Sequence, residues 1–133
     1  MLRSLTLSIL SIAMLAAVPA SADAKPKLTP EAKLAKMLEG RTAGEPRSCI
    51  PLSQINQTTV IDGTALVYRV GSTLWVNRPK DPPRAMDGDN VMVTKTSINQ
   101  LCSVDTVQLV DPTSRSWRGF IQLGDFVPYR KAE

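Results

Sequence analysis

The chain has 133 residues, of which 21% are charged, a formal net charge of +4 and no histidine. The lack of histidine excludes Ser-His-Asp and Cys-His catalytic groups and imidazole zinc sites. The positive charge is uneven, since residues 25–47 hold six basic and three acidic side chains while residues 48–133 hold nine and eight. We therefore expect a basic arm over 25–47, a nearly neutral domain over 48–133, and no nucleic-acid partner.

Residues 1–24 have the three parts of a secretory signal peptide. A positive charge at Arg3 precedes a mostly apolar run over 5–18, and small residues follow up to Ala22 and Ala24. The run of about 14 residues is shorter than the roughly 20 that span a bilayer. The pattern predicts cleavage near Ala22 or Ala24, a periplasmic or secreted protein, and no transmembrane segment after cleavage. An uncleaved N-terminal anchor helix is the alternative.

Within the basic arm, the sequence predicts a short helix followed by a linker over 41–47. Thr29 is a good capping residue, Pro30 fits the first helical position, and Gly40 favours termination. A helix of about ten residues is unstable alone in water, so its apolar side must pack against the domain or against a partner. That side is a candidate interaction surface, formed by Leu34, Met37 and Leu38.

The two cysteines, Cys49 and Cys102, both follow the predicted signal peptide and lie 53 positions apart. An even number of cysteines in an oxidising compartment favours a disulfide bond. Closing a loop of this length stabilises a fold by about 4 kcal/mol in the chain-entropy description. Two free buried thiols, or two metal ligands assisted by carboxylates, are the alternatives.

From residue 55 onward, apolar and polar side chains alternate, which is typical of strands. Asp62-Gly63 and Gly71-Ser72 predict two tight hairpin turns, and the proline-rich segment over 78–90 predicts a loop. About six short strands predict a mainly β fold, a small antiparallel β-barrel or sandwich with one short N-terminal α-helix. The predicted strands cover 57–61, 64–70, 73–77, 91–94, 106–110 and 120–127, the last with Gly124 as a candidate break.

Carboxylates are the main candidates for chemistry in a chain without histidine. Asp105 is the carboxylate least explained by turn formation. One interpretation is that it is buried and hydrogen-bonded to backbone groups near the disulfide; the other is that with Asp125 it forms the candidate pair for a hydrolase or lyase. The segment Asp87–Asn90 has oxygen ligands at the close spacing of a calcium loop, but the distal ligands are missing, so a polar turn is favoured. We therefore assign no catalytic residue, no metal site and no cofactor.

A second candidate interaction surface lies at Arg115, Trp117 and Arg118. An aromatic ring between two cations is able to stack on a sugar or a base while the arginines hold an anion. The alternative is a loop in which Trp117 folds back over the end of the β domain and both arginines are solvated.

Six segments, in this order and spacing, resemble an uncharacterised family of small exported proteins from Gram-negative bacteria, especially alphaproteobacteria. The resemblance covers most of residues 40–128 and implies a periplasmic or secreted β-rich domain without a catalytic assignment. The segments are Gly40-Arg41, Arg47–Ile50, Val60–Thr64, Trp75–Arg78, Gln100–Asp105 and Leu123–Pro128.

The chain departs from this family pattern at a second cysteine pair. The pattern places those cysteines near Lys80–Arg84 and at Ile121, and neither place holds one here. The joint absence is what loss of a second bridge produces, and it leaves Cys49 and Cys102 as natural partners. Family properties that depend on the second bridge are not carried over to this chain.

Together these observations predict an exported, non-enzymatic binding or interaction module of the cell envelope. An envelope protein or an anionic envelope polymer is the expected partner. A carboxylate-dependent hydrolase or lyase acting on envelope polymers is the alternative, as is an inhibitor of an exported enzyme.

Overall fold

The computed structural model describes residues 25–133, and the predicted signal peptide lies outside the described residues. In the described part, one short α-helix precedes ten strands, so a mainly β fold with one N-terminal helix is confirmed. A 3₁₀ turn lies at Leu52–Gln54. The helix and strands are α1 (Pro30–Met37), β1 (Arg41–Ala43), β2 (Cys49–Pro51), β3 (Ile55–Ile61), β4 (Ala65–Val70), β5 (Thr73–Asn77), β6 (Val91–Thr94), β7 (Gln100–Cys102), β8 (Thr106–Val110), β9 (Trp117–Gln122) and β10 (Phe126–Lys131).

The strands form three antiparallel sheets. The largest has the order β1-β10-β5-β4-β3, the second has the order β6-β8-β9, and the third pairs β2 with β7. Strands β3, β4 and β5 are the meander that the two predicted hairpin turns imply. Since each sheet has two edge strands, the strands of residues 25–133 form no closed barrel.

The strand count differs from the predicted six for two reasons. The additional strands β1, β2 and β7 have three residues each, which is too short to show an alternating pattern. The predicted last strand is in fact two strands, β9 and β10, in different sheets. Between them Gly124 is buried, and a Cβ at this position would lie 2.6 Å from the carbonyl oxygen of Arg78. A side chain larger than hydrogen therefore does not fit at the point where the chain passes from one sheet to the other.

The five-stranded sheet is covered on both faces. On β4, Leu66 and Tyr68 belong to one core, and Ala65 and Val67 belong to the other, as strand alternation predicts. The larger core lies between this sheet and the two smaller sheets. Its buried members are Ile50, Leu66, Tyr68, Trp75, Met86, Leu101, Val107, Leu109, Ile121, Leu123 and Phe126.

The smaller core lies under the N-terminal helix. Thr29 caps the helix, since its Oγ1 accepts a hydrogen bond of 3.2 Å from the N–H of Ala32. Leu34 is fully buried, and Met37 and Leu38 pack beside it against the sheet. The predicted interaction surface on this helix is therefore covered by the chain itself, because an isolated short helix gains its stability from packing its apolar side.

The predicted disulfide is present. Cys49 and Cys102 are directly opposite each other in the β2–β7 pair, with their Sγ atoms 2.10 Å apart. The N–H of Ser103 donates to the carbonyl oxygen of Ser48 at 2.7 Å, which continues the pairing beyond the bridge. The meander of β3, β4 and β5 lies within the covalent loop, so the bridge ties the chain segments that enter and leave it.

Asn77, at the end of β5, is the one buried polar residue of the described core, with an exposed fraction of 0%. Its Nδ2 donates to the carbonyl oxygen of Gly124 at 2.6 Å, and its Oδ1 accepts from the N–H of Gly124 at 3.0 Å. The side chain thus satisfies both backbone groups of the residue at which the chain bends from one sheet to another.

Candidate functional site

The Arg115–Arg118 segment begins in a turn organised by Asp111. Its Oδ1 accepts hydrogen bonds from the N–H groups of Thr113 and Ser114 at 2.8 and 2.9 Å. Its Oδ2 accepts one of 2.7 Å from Arg118. The Arg118 guanidinium, and then these two backbone donors, hold the pKa of the Asp111 carboxyl well below its usual range. Arg118 is therefore partnered within the chain, while Arg115 is exposed.

A β-bulge then sets the direction of the next side chains. In the pairing of β8 with β9, Leu109 is opposite Gly119 and Val110 is opposite Trp117, so Arg118 is the extra residue. Gly119 has a φ of +147°, a conformation that favours glycine. Because of this extra residue, the side chains of Trp117 and Phe120, which lie on either side of the bulge, point to the same face of the sheet.

Trp117 and Phe120 form an exposed aromatic pair as a result. Their ring centroids are 5.0 Å apart, and their exposed fractions are 60% and 49%. This exposure excludes the alternative in which Trp117 folds back over the end of the domain. Large aromatic side chains are mostly buried in folded proteins, so two that are in contact and exposed form a candidate surface for binding.

The pair belongs to a larger face on the outer side of the β6-β8-β9 sheet. Directly opposite residues in antiparallel strands point to the same side, and the alternate residues Val107, Leu109 and Ile121 are buried in the core. The remaining residues therefore point outward, and we call them the outer face. Its members are Val91, Val93, Thr106, Gln108, Val110, Trp117, Phe120 and Gln122.

The outer face holds no charged side chain, and five of its residues are aliphatic or aromatic. Three of the large apolar residues that are exposed in the described chain, Val91, Trp117 and Phe120, lie on it. Beside Phe120, a depression of about 500 Å³ is lined by Thr106, Gln122 and Asp81. Its one charged lining residue, Asp81, belongs to the loop between β5 and β6 and not to the sheet.

The loop between β5 and β6 runs along the free edge of β9. The N–H of Lys80 donates to the carbonyl oxygen of Gln122 at 3.3 Å, and Pro83 lies next to Gly119. The loop protects the strand edge from pairing with another chain, which leaves the outer face, and not the edge, available for contact.

The Asp87–Asn90 segment forms the polar turn that the sequence favoured. Oδ1 of Asp87 accepts hydrogen bonds from the N–H of Asp89 at 3.1 Å and from Nδ2 of Asn90 at 2.8 Å. The turn and Asp111 line an open cavity of about 360 Å³, together with Arg118. Over residues 25–133, no group of three or more acidic or cysteine side chains is placed to hold a metal ion.

The candidate carboxylates Asp105 and Asp125 have different environments. Oδ2 of Asp105 accepts a hydrogen bond of 2.7 Å from the N–H of Cys102, and the N–H of Asp105 donates back to the Cys102 carbonyl at 2.9 Å. Asp105 is therefore used in the turn that follows β7, next to the disulfide. Asp125 is exposed, and neither carboxylate lines any of the three cavities that we describe.

Sequence reasoning located Trp117 and its arginine neighbours but not the face to which Trp117 belongs. The strand pattern assigns Phe120, Val91 and Val110 to strands, but it does not indicate on which side of the sheet their side chains lie. Alternation alone separates the two sides of β6 and β8, but it does not indicate which side is covered. The bulge at Arg118, which joins Trp117 to Phe120, depends on the pairing with β8.

No family model, curated protein or solved structure matches the chain. Among residues 25–133, no helix has both the length and the apolar character needed to cross a membrane.

Proposed function

We propose that this protein is an exported, non-enzymatic binding module of the cell envelope, and that its partner docks on the outer face. The observation that carries the proposal is the contact between Trp117 and Phe120, both about half exposed or more. A few residues supply most of the binding energy of a protein interface, and tryptophan, tyrosine and arginine are enriched among them. Arg118, next to Trp117 in sequence and fixed by Asp111, is positioned to form the polar rim.

The charge of the outer face favours a protein partner over an anionic polymer. A polyanion needs several free cations on the contact surface, and the outer face has none. Arg118 at its margin is already paired with Asp111, and the charged residue that lines the neighbouring depression, Asp81, is acidic. Depletion of charge with enrichment of aromatic residues is instead the composition of the centre of a protein interface.

The proposed location has three supports. The sequence of residues 1–24 predicts a signal peptide, and the Cys49–Cys102 bond is of the kind that persists in oxidising compartments. The resemblance to exported proteins of Gram-negative bacteria points to the same compartment. We therefore place the proposed partner in the periplasm or outside the cell. If the protein inhibits an exported enzyme, that enzyme would bind to the same surface.

Site-specific photo-crosslinking in a Gram-negative host that secretes the full chain tests this proposal. The photoreactive residue p-benzoylphenylalanine replaces Phe120 in one variant and Gln57, which is exposed on β3, in the control. We expect an adduct of discrete mass from position 120 only. Adding Trp117→Ala should reduce the adduct at least tenfold, whereas Val104→Ala, an exposed apolar residue outside the face, should not.

The identity of the adduct then decides the partner. A protein adduct that depends on Trp117 supports the proposal, and an exported enzyme in that adduct identifies the inhibitor. A glycan adduct, or the same adducts from positions 120 and 57, contradicts it. An adduct with twice the mass of the chain replaces the proposed partner with a second copy of the protein.

A further inference from the structure

A cavity of about 280 Å³ lies inside the fold, on the other side of the three-stranded sheet from the outer face. It opens between β3 and β6, which are the edge strands of two different sheets. Because no strand pairing closes the gap between these edges in the described chain, the core is accessible there. The cavity is lined by Leu52, Ile55, Thr58, Tyr68, Met92, Thr94, Leu101 and Val107.

Tyr68 gives this cavity a specific polar group. The residue is only 4% exposed, and its hydroxyl has no hydrogen-bond partner among residues 25–133. Every fully buried side-chain nitrogen or oxygen of that part of the chain has a partner, so the Tyr68 oxygen retains accessible surface. Tyr68 lines the cavity and carries the one ionisable group of its lining. A ligand group that hydrogen-bonds to this hydroxyl would replace water there.

The lining determines the charge of a suitable ligand. Apart from Tyr68, no ionisable side chain lines the cavity, and burial raises the pKa of Tyr68, so its hydroxyl stays neutral at pH 7. A charged group placed inside would lose its hydration without gaining a counterion. The hydroxyls of Thr58 and Thr94 add polar groups on the two strands that border the gap.

We propose that this cavity binds a small uncharged ligand, with a two-ring or similarly sized apolar body and one polar group that hydrogen-bonds to Tyr68. An apolar cavity of about 150 Å³ accommodates benzene, and this one has roughly twice that volume. The site is independent of the proposed partner surface, since the cavity and the outer face lie on opposite sides of the same sheet.

Calorimetry with 2-naphthol as the probe tests the site in the full chain. Naphthalene, which lacks the hydroxyl, and 2-naphthoate, which is anionic, are the comparison ligands. We expect 2-naphthol to bind with 1:1 stoichiometry and 2-naphthoate to bind at least tenfold more weakly. In Tyr68→Phe, 2-naphthol should bind about 2- to 10-fold more weakly, while naphthalene binding should be unchanged.

A matched pair of variants shows where the probe binds. Thr94→Met extends a side chain into the cavity and should reduce the affinity for both neutral probes at least tenfold. Thr106→Met makes the same change on the outer face of the same sheet and should have no effect. Retained circular dichroism and a retained melting transition show that each variant folds. Failure of 2-naphthol to bind overturns the proposal, as does binding that neither Tyr68→Phe nor Thr94→Met weakens, and neither result affects the crosslinking at Phe120.

Discussion

Asn77→Ala is expected to be among the most destabilising single substitutions in this fold. The side chain is completely buried and makes two hydrogen bonds, both to the backbone of Gly124. Its removal leaves one N–H and one carbonyl oxygen of the buried Gly124 without their partner. Each such group costs about 1–3 kcal/mol, so for the two groups we expect a loss of about 2–6 kcal/mol in the free energy of unfolding. This is a large fraction of the roughly 5–15 kcal/mol typical of a domain.

Asn56→Ala is the matched control for Asn77→Ala. Asn56 also bonds through Oδ1 to the N–H of a glycine, Gly71, at 3.1 Å, but this bond is exposed and water replaces it. We expect the control to lose less than about 1 kcal/mol. Urea denaturation followed by tryptophan fluorescence measures both values, and the slope with denaturant should be unchanged. Equal losses for the two variants, or a loss below about 1 kcal/mol for Asn77→Ala, would refute the argument from burial.

Three further predictions concern Gly124, the loss of stability at acidic pH, and the disulfide bond. Gly124→Ala should lower the melting temperature, because a Cβ would meet a backbone oxygen at 2.6 Å. Gly88→Ala is the control and should not lower it, since nothing lies within 4 Å of a Cβ there. Equal melting temperatures for the two variants would contradict this. The folded-state pKa of Asp111 is lowered, so its stabilising contribution is present above pH about 4 and is lost as the pH falls through that folded pKa. Asp111→Asn should therefore reduce stability at pH 7 but not at strongly acidic pH, and a difference that stays constant with pH is the contrary result. Replacing both Cys49 and Cys102 by Ala should lower the unfolding free energy by about 4 kcal/mol in urea titrations, and an unchanged midpoint would contradict the loop-closure argument.

Local rules predicted the features that are themselves local. The Thr29 cap, the helix after it and the meander joined by Asp62-Gly63 and Gly71-Ser72 all follow from neighbouring residues. The Cys49–Cys102 bond joins distant residues, but it followed from the even cysteine count and the predicted compartment and not from a local rule. None of these predictions required knowing which strands pair, except for strands that are joined by a single turn.

The features that were missed depend on contacts between distant segments. Strands β1, β2 and β7 are too short for a periodic signal, and each pairs with a strand that is distant in the sequence. Asn77 reads as an ordinary polar residue at the end of a strand, and only its position opposite Gly124 makes it part of the core.

By itself, the sequence determined the alternation of buried and exposed side chains, the turns, the helix cap and the presence of an aromatic residue between two arginines. Only the tertiary structure decided which side of each strand is covered. The apolar side of the helix is buried because the five-stranded sheet lies beneath it, whereas the outer face is exposed because no element of the described chain packs on it. Apolar surface is buried wherever a second layer is available, and the placement of layers depends on the whole chain. For this reason Leu34 became a core residue, while Trp117 and Phe120 remain the exposed pair on which we expect a partner to bind.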